Sequence, residues 1–285
     1  MKITDSITKL PSRKSDSHKG DFGKVCIIAG STGMSGAAAL AGRACLRAGA
    51  GLVRVAVAKS TLPIVAAIEP SYTTIALAED ENGQISFDAL AMILNAAGEN
   101  DVIAFGPGMG VSNDIKKILE KLITIPELAL VIDADGLNNL SKLRGWHRNL
   151  KASLILTPHP GEMKRLWASV FREQMPDDRQ EIAGKFAELT NTTVVLKGAG
   201  TVVTNGERLF VNTTGNAGMA TAGAGDCLTG IIAALKAQKM SFFDSAVLGV
   251  YIHGLAGDIA AKNKGQISLT ATDIIDYLPD AFMKI

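Results

Sequence analysis

The residue with the clearest potential for chemistry is Asp226, which follows a run of very small residues. That run, Ala222-Gly223-Ala224-Gly225, leads directly into the apolar helical stretch from Cys227 to Leu235. The first N–H groups of a helix have no internal acceptor, and the aligned peptide dipoles make that end electropositive, so an anion is expected there. Small residues also let the backbone approach a phosphate closely. The run therefore predicts an anion hole for a phosphoryl group at the start of a helix.

A carboxylate at position 226 has two interpretations. Beside a bound phosphate it is unfavourable unless it acts, and the action that fits is to accept the proton of a hydroxyl that attacks the phosphate. The alternative is that Asp226 only caps the helix, a position that favours Asp. The small residues around it favour the first interpretation, so we predict that Asp226 is a general base.

Composition and charge restrict the kind of partner. The chain has 285 residues, 47% of them apolar, and a net charge of +1 at pH 7. Basic and acidic residues are matched along the chain, so nothing indicates a surface for nucleic acid or for an acidic membrane. A chain of this length ordinarily forms one domain with a large core, and no linker or repeat divides it. We therefore predict a single domain over residues 1–285 and a small-molecule partner.

The cysteines and the N-terminal segment indicate the compartment. Cys26, Cys45 and Cys227 are far apart, with no C-x-x-C pattern and no histidine at metal-ligand spacing. Neither a disulfide framework nor a zinc site is therefore predicted. The segment from Met1 to Lys24 is polar, and the chain contains no run of 18 apolar residues. These features predict a cytoplasmic protein without a secretory leader or a membrane span.

Short apolar runs recur along the chain, and most end in a glycine-rich or polar loop. They lie at residues 24–29, 52–58, 101–105, 129–132, 154–156 and 193–196. Apolar runs without alternation are typical of strands buried on both faces, and helical stretches between them imply parallel pairing. The pattern predicts an α/β fold, a three-layer α/β/α sandwich with a mostly parallel sheet. In such a sheet ligands bind outside the carboxyl ends of the strands, so the functional residues should share one edge.

The C-terminal part of the chain predicts a hairpin followed by helices. Residues 201–204 and 208–212 are joined by Asn205-Gly206-Glu207, a sequence typical of a hairpin turn. The predicted helices begin at about Asp226, Phe242 and Thr272.

Two widespread nucleotide-binding motifs are absent. The segment Gly106-Pro107-Gly108-Met109-Gly110 begins like a dinucleotide fingerprint, but residue 111 is Val where the pattern needs glycine. No G-x-x-x-x-G-K-[ST] sequence occurs, which excludes a Walker-type phosphate loop. The glycine-rich loop before Asp226 remains as the predicted phosphate-binding element.

Motifs that span nearly the whole chain occur in the order of one family. They are His18-Lys19-Gly20-Asp21-Phe22-Gly23-Lys24, Gly106-Pro107-Gly108, Asp133-Ala134-Asp135-Gly136-Leu137-Asn138, Thr157-Pro158-His159-Pro160-Gly161-Glu162, Lys197-Gly198-Ala199-Gly200-Thr201 and Ala222-Gly223-Ala224-Gly225-Asp226. Together they resemble the ribokinase-like superfamily and, within it, the ADP-dependent NAD(P)H-hydrate dehydratases. The last motif alone is specific only to the superfamily, whereas the ordered set is specific to the family.

The resemblance implies a repair reaction on a damaged nicotinamide nucleotide. NADH and NADPH can take up water across a ring double bond, and these enzymes remove it from the (S) form of the hydrate while ADP becomes AMP and phosphate. Mg²⁺ accompanies the nucleotide. Family members work with an NAD(P)H-hydrate epimerase, often fused in front, and the resemblance implies a homo-oligomer, a tetramer. Only residues 1–23 precede the first predicted strand here, so we expect no epimerase domain and a separate epimerase partner.

The resemblance implies a role for each residue of this sequence that matches a position of the family's motifs. Asp226 is implied to be the base, with Gly223, Ala224 and Gly225 forming the anion hole. Residues implied to bind the adenine nucleotide are Lys197, Gly198, Ala199, Gly200, Thr201, Asn216 and Gly225. Residues implied to contact the hydrate are Ala39, Gly108, His159 and Asp226. Glu162 is implied to hold Mg²⁺ through water.

Most of these assignments have a plainer structural alternative. Lys197 could be a solvated side chain in a tight turn, and Asn216 could satisfy a turn locally. His159 could be a buried histidine with satisfied hydrogen bonds. Glu162 could be a first-turn helix residue, and Ala39 could serve only helix packing.

Three further points stay open at the level of sequence. Of Asp133 and Asp135, one is expected to cap a turn and the other to face the ligand, without an assignment of the two roles. His147, His253 and the two tryptophans have no motif around them and are interpreted as structural. The preferences for ADP or ATP, and for the NADH or NADPH hydrate, are left open.

Two competing functions share the same loop. A small-molecule alcohol kinase of this superfamily, acting on hydroxyethylthiazole or hydroxymethylpyrimidine, would use the same hole and aspartate. His159 and the 18–24 segment favour the dehydratase over the kinase. A non-catalytic nucleotide sensor is the third possibility, and the intact Gly-Ala-Gly-Asp sequence argues against it.

Overall fold

A ten-stranded sheet runs through the middle of the computed structural model, which describes residues 1–285. The strands are β1 (Lys2–Ile3), β2 (Lys24–Ile28), β3 (Leu52–Ala58), β4 (Thr73–Leu77), β5 (Val102–Phe105), β6 (Ala129–Ile132), β7 (Ser153–Leu156), β8 (Thr193–Leu196), β9 (Val202–Thr204) and β10 (Arg208–Val211). Their order across the sheet is β1-β10-β9-β8-β7-β6-β5-β2-β3-β4. Only β9 runs against its neighbours, β8 and β10, so the prediction of a mostly parallel sheet is confirmed.

Eleven α-helices cover the two faces of this sheet. They are α1 (Ser35–Arg47), α2 (Leu62–Ile68), α3 (Leu90–Glu99), α4 (Asn113–Leu122), α5 (Asp135–Leu140), α6 (Pro160–Val170), α7 (Arg179–Thr190), α8 (Ala224–Ala237), α9 (Phe242–Lys264), α10 (Ala271–Asp276) and α11 (Leu278–Phe282). Helices α3 to α7 pack on one face and the other six on the opposite face. The predicted three-layer α/β/α sandwich is therefore confirmed.

The strand sequences explain why the sheet is buried on both sides. In β2, Val25 and Ile27 belong to the core under α1 and α8, whereas Cys26 and Ile28 belong to the opposite core. Successive side chains of a strand point to opposite faces, so a strand covered by helices on both faces is apolar throughout. All three cysteines are free thiols in these cores.

The sheet changes its direction of growth at β2. From β2 the chain adds β3 and β4 on one side, then returns to add β5, β6, β7 and β8 on the other. The loops after β2 and β5 leave the sheet side by side at this switch point, the place where doubly wound sheets bind ligands. They are joined because the Gly30 N–H donates to the Pro107 carbonyl at 2.8 Å and the Ser31 hydroxyl donates to the Gly108 carbonyl at 2.8 Å.

The predicted elements agree with the structure except at a few boundaries. The hairpin is confirmed, with Val203 opposite Phe210. Helix α8 begins at Ala224, two residues before the predicted start, because Gly223 adopts a left-handed conformation with φ of +87° and ends the preceding loop. Strands β1 and β4 lie at the two edges of the sheet and were not predicted. Both residues of β1 are exposed, and only Leu77 of β4 is buried. None of the helices has the length and apolarity needed to cross a membrane.

Candidate functional site

A buried ion pair lies where β6, β8 and α8 meet. The Lys197 ammonium donates to Asp133 Oδ1 at 2.6 Å, and the Thr229 hydroxyl donates to Asp133 Oδ2 at 2.7 Å. The same hydroxyl lies 3.2 Å from the Gly225 carbonyl oxygen. The Asp133 side chain is only 2% exposed and that of Lys197 19% exposed. This network fixes the first turn of α8 against the carboxyl ends of two strands.

Asp226 lies in that first turn and is not the helix cap. The residue at the cap is Gly223, and no side chain caps α8, so the helix-cap interpretation of Asp226 is excluded. Burial raises the pKa of Asp226 to about 7, and the carboxylate of Asp133 adds to this effect. The Lys197 ammonium opposes the shift. A carboxyl group with this pKa can accept a proton near neutral pH.

The small-residue loop at the start of α8 carries backbone N–H groups that have no partner. The N–H groups of Gly223, Gly225 and Asp226 have no acceptor within the protein. A Cβ at position 223 would lie 2.4 Å from Leu40 Cδ1, and the φ of +87° is strained for any residue other than glycine. Free N–H groups at a helix start form a site for an anion.

The first turn of α6, after β7, adds a further buried carboxyl group. Glu162 has a side chain 6% exposed, and burial raises its pKa to about 7. Lys197 lies 3.8 Å from Glu162 and lowers this pKa, whereas the negative charge of Asp133 raises it. The backbone N–H of His159 donates to Glu162 Oε2 at 2.8 Å, which fixes the carboxylate at the start of α6.

His159 caps helix α6 with its side chain half exposed. Its Nδ1 accepts from the N–H of Gly161 at 3.0 Å and of Glu162 at 3.3 Å. Because Nδ1 is an acceptor, the neutral ring carries its proton on Nε2. Burial and the Lys197 charge lower the pKa of His159, which favours this neutral form. The alternative of a buried histidine is wrong, because 52% of the side chain is exposed.

The carboxylates do not form a closed metal site. No three His, Cys, Asp or Glu side chains lie where they could hold one ion. Mg²⁺ usually keeps several waters and is held by one or two carboxylates and by substrate phosphates. The single buried Glu162 fits that outer-sphere role, whereas Asp133 is already bonded to Lys197 and Thr229.

An arginine that the sequence analysis did not identify holds the loop after β8. The Arg179 guanidinium, at the start of α7, donates to the carbonyl of Leu196 at 2.9 Å and to that of Lys197 at 3.1 Å, and it also bonds to Ala199. The Lys197 N–H donates to the Pro158 carbonyl at 2.8 Å, which joins this loop to the one after β7. No motif marks Arg179, and only its position directly after a helix-capping aspartate distinguishes it.

The Lys197 ammonium is already paired within the protein. Lys197 is predicted to bind the adenine nucleotide, and in the structure its ammonium is bonded to Asp133. The backbone of the 198–201 loop follows directly, and the Thr201 hydroxyl donates to the Gly198 carbonyl at 2.9 Å. Nucleotide binding by this loop stays a prediction.

Two of the predicted ligand contacts lie in well-packed surroundings. Asn216 Oδ1 accepts from Gly218 N–H at 3.0 Å, and its Nδ2 donates to Asp258 at 2.9 Å. These contacts fit the alternative interpretation, in which the Asn216 side chain satisfies a turn. Ala39 is 2% exposed within the core. Their roles in ligand binding stay predictions.

Gly108 lies at the switch point with a left-handed φ of +60°. A Cβ there would lie 2.9 Å from that of Ala37 and 3.0 Å from that of Met34. These contacts bring the α1 start close to the loop after β5. Contact of Gly108 with a substrate stays a prediction.

The structure divides the roles of the two aspartates after β6. Asp133 is the buried partner of Lys197. Asp135 accepts from the Gly110 N–H at 2.9 Å and from the Asn138 amide at 3.2 Å, so it holds the loop after β5.

Comparisons with known proteins agree on one family. A family model described as NAD(P)H-hydrate dehydratase matches residues 25–280. A bifunctional NAD(P)H-hydrate repair enzyme of Moorella thermoacetica is 42% identical over 277 residues, which cover 95% of this chain and 51% of that protein. The enzyme of the same name from Escherichia coli is 37% identical, covering 94% of this chain and 49% of that protein. The chain thus spans about half the length of these curated relatives.

Solved structures give the same result. The ADP/ATP-dependent NAD(P)H-hydrate dehydratase of Bacillus subtilis, co-crystallised with ATP and Mg²⁺, has a TM-score of 0.83 and 28% identity, covering 97% of this chain and 94% of that chain. Hydroxyethylthiazole kinase of Pyrococcus horikoshii has a TM-score of 0.60 at 14% identity, covering 94% and 90%, which shows a shared fold alone.

Proposed function

This chain belongs to the NAD(P)H-hydrate dehydratase family, and on that premise we propose that it removes water from the (S) form of hydrated NADH and NADPH with ADP as co-substrate. The observation that carries the proposal is the start of α8. There a carboxyl group with a pKa of about 7 lies beside backbone N–H groups that have no internal acceptor. A proton acceptor next to an anion hole is the arrangement that phosphorylation of a hydroxyl needs.

The proposed reaction begins with phosphoryl transfer. Asp226 accepts the proton of the hydrate hydroxyl while the hydroxyl oxygen bonds to the terminal phosphorus of ADP. The bond from that phosphorus to the bridging oxygen breaks, and AMP leaves. The N–H groups of Gly223 and Gly225 face the charge that develops on the phosphoryl oxygens, where preorganised donors contribute most.

The second stage restores the nicotinamide ring. The phosphate ester replaces hydroxide, a poor leaving group, by phosphate. The lone pair of the ring nitrogen expels phosphate as the carbon–oxygen bond breaks, and loss of a proton from the neighbouring ring carbon forms the double bond. The products are the reduced nucleotide, AMP and phosphate.

The remaining components follow from the family and from the site. When bound, Mg²⁺ neutralises charge on the diphosphate, and Glu162 is the carboxylate that would hold it through water. The loop from Lys197 to Thr201 binds the adenine nucleotide, and Ala39, Gly108 and His159 face the hydrate. We propose a cytoplasmic homotetramer that works with an NAD(P)H-hydrate epimerase. The similar Bacillus subtilis enzyme is described as ADP/ATP-dependent, which supports the use of either nucleotide by this chain.

The test is recovery of the reduced-nicotinamide absorbance from hydrated NADH in the presence of Mg²⁺ and ADP. We expect recovery only when a nucleotide is present, with AMP and phosphate formed in equal amounts. Consumption of nucleotide with hydroxyethylthiazole or hydroxymethylpyrimidine, without recovery from the hydrate, would instead identify an alcohol kinase. Binding of nucleotide without any turnover would identify a sensor.

Arg179 supplies a prediction about nucleotide binding. Replacing Arg179 with Met removes the donors to the carbonyls of Leu196, Lys197 and Ala199, so the 197–201 loop loses its fixed shape. We expect the KM for ADP to rise about tenfold, equivalent to one or two lost hydrogen bonds to a charged group. Steady-state kinetics with varied ADP measures this.

The matched control for Arg179→Met is Arg208→Met. Arg208 lies near Asp244 on the other side of the hairpin and should leave the KM for ADP unchanged. An unchanged KM for ADP in Arg179→Met would show that the shape of the 197–201 loop does not affect nucleotide binding.

A further inference from the structure

His253 has no role in the proposed reaction, but it contacts the backbone of the predicted anion hole. His253 lies in the middle of α9, and its Nε2 is 3.0 Å from the carbonyl oxygen of Ala224. A carbonyl oxygen can only accept, so Nε2 carries the proton and donates. Burial lowers the pKa of His253 to about 4, the Lys197 charge acts in the same direction, and the bond to Ala224 opposes it. The ring is therefore neutral with its donor directed at α8.

The accepting carbonyl belongs to the peptide unit that ends in the N–H of Gly225. The atoms of a peptide unit are conjugated and lie in one plane, so a donor bound to the oxygen polarises and orients the N–H of the same unit. That N–H has no acceptor within the protein. Position 225 is also close to the ion pair, since a Cβ there would lie 3.5 Å from the Lys197 ammonium.

Helix α9 holds the beginning of the glycine-rich segment as well. Asp258, five residues after His253, accepts from the Gly215 N–H at 2.9 Å and from the Asn216 amide at 2.9 Å. The Thr214 hydroxyl donates to the Tyr251 carbonyl at 2.8 Å. Helix α9 thus holds the segment at residues 214–216 and also contacts α8 at Ala224.

We propose that His253 is a positioning residue for the anion hole, acting through the Ala224 carbonyl to direct and strengthen the Gly225 N–H toward the transferring phosphoryl group. This proposal rests on the proposed function, because it needs a phosphoryl group at the start of α8. His253 touches neither substrate nor reacting atoms. It contributes to the transition state by keeping one donor in place before the reaction begins.

The variants that test the proposal differ in whether they can donate to Ala224. His253→Leu keeps apolar volume and removes the donor, whereas His253→Gln places an amide nitrogen at the position of Nε2. The asparagine of His253→Asn is polar but too short to reach the Ala224 carbonyl. It is used in place of His253→Leu if the leucine variant does not fold. His147→Gln, in a histidine remote from α8, is the control.

We expect kcat in His253→Leu to fall about tenfold, less than the 10²–10³ seen when a direct hole donor is removed. The KM for ADP should stay within about twofold, because the donor acts mainly in the transition state. His253→Gln should recover most of kcat, and His147→Gln should equal the wild type. Wild-type kcat in His253→Leu, or an equal loss in the glutamine variant, would overturn the proposal.

A second readout separates this proposal from the proposed function. The ¹⁵N resonance of the Gly225 amide, recorded in the absence of substrate, should shift in His253→Leu and return in His253→Gln. An unmoved resonance would overturn the role of His253 even if the hydrate is repaired. If the wild type fails to repair the hydrate while the resonance moves as expected, the proposed function fails and the link from His253 to Gly225 stands.

Discussion

Replacing Asp226 with asparagine is expected to lower kcat for hydrate repair about a thousandfold, within the 10²–10⁴ range of general base catalysis. The amide has nearly the same shape but cannot accept the hydroxyl proton. The KM for ADP should change little, because in the proposed mechanism the loop after β8 and backbone groups hold the nucleotide. Steady-state recovery of the reduced-nicotinamide absorbance measures both parameters.

Asp276→Asn is the matched control for this substitution. Asp276 is an exposed aspartate that lies 3.4 Å from Arg43, and its loss should leave kcat unchanged. Full turnover in Asp226→Asn would show that another group removes the proton, and it would remove the central support for the mechanism.

The same variant should be more stable than the wild type at alkaline pH. The carboxyl pKa is about 7 in the folded protein against an ordinary value of 3.8, so the folded state binds a proton more tightly than the unfolded chain. Below about pH 4 the group is protonated in both states and has no effect. As the pH rises from about 4 to 7, the Asp226 carboxyl ionises in the unfolded chain but not in the folded protein, so the free energy of unfolding falls. Above pH 7 the group is ionised in both states, and this loss of stability no longer grows.

Asp226→Asn removes that cost, so its melting temperature should exceed that of the wild type by about 5 °C at pH 8. The difference should shrink as the pH falls toward 4. Thermal unfolding of both proteins across this range measures the trend. A constant difference at all pH values would mean that the gain does not come from the buried charge.

Replacing Lys197 with methionine is expected to produce the largest loss of stability. The Asp133 carboxylate, in a side chain that is 2% exposed, would be left with only the Thr229 hydroxyl as a donor. Breaking a buried ion pair by removing one partner typically costs about 3–5 kcal/mol. We therefore expect a loss of about 3 kcal/mol in the free energy of unfolding at pH 8, measured by urea denaturation.

A second substitution isolates the cause of this loss. In Lys197→Met/Asp133→Asn the uncompensated charge is gone, so most of the stability should return while catalysis stays low. Lys185→Met removes an exposed lysine that pairs with Glu181, and it should leave the urea midpoint unchanged. Equal stability of the single and double variants would show that the uncompensated charge of Asp133 is not the cause of the loss.

Much of the fold could be predicted from the sequence because it depends on local patterns. Strand β2 is apolar throughout since both of its faces are covered, and the glycines after it mark the end of the strand. The motif order identified the family, which the match over residues 25–280 confirms. Strand β4 was not predicted; it lies at the edge of the sheet, and only Leu77 of its five residues is buried.

The candidate site is only partly determined by the sequence. The run of small residues ending in Asp226 predicted a loop that feeds a helix start, and the structure has that loop with Gly223 in the left-handed conformation. Backbone conformation depends on neighbouring residue types, so glycine spacing is informative. The ligand contacts of Ala39, Gly108 and Asn216 stay predictions, since packing alone does not assign them.

Only the tertiary structure showed how the charged side chains are paired. Lys197 and Asp133 are 64 positions apart, and Thr229 is 96 positions from Asp133, yet all three meet at one edge of the sheet. The raised pKa of Asp226 and the contact of His253 with Ala224 arise from the same convergence. The sequence by itself determined the fold and the family, because these follow from local patterns, and it singled out Asp226 as the candidate reactive residue. Burial and charge pairing depend on residues distant in the chain, so only the folded structure decided which groups hold that residue and set its pKa.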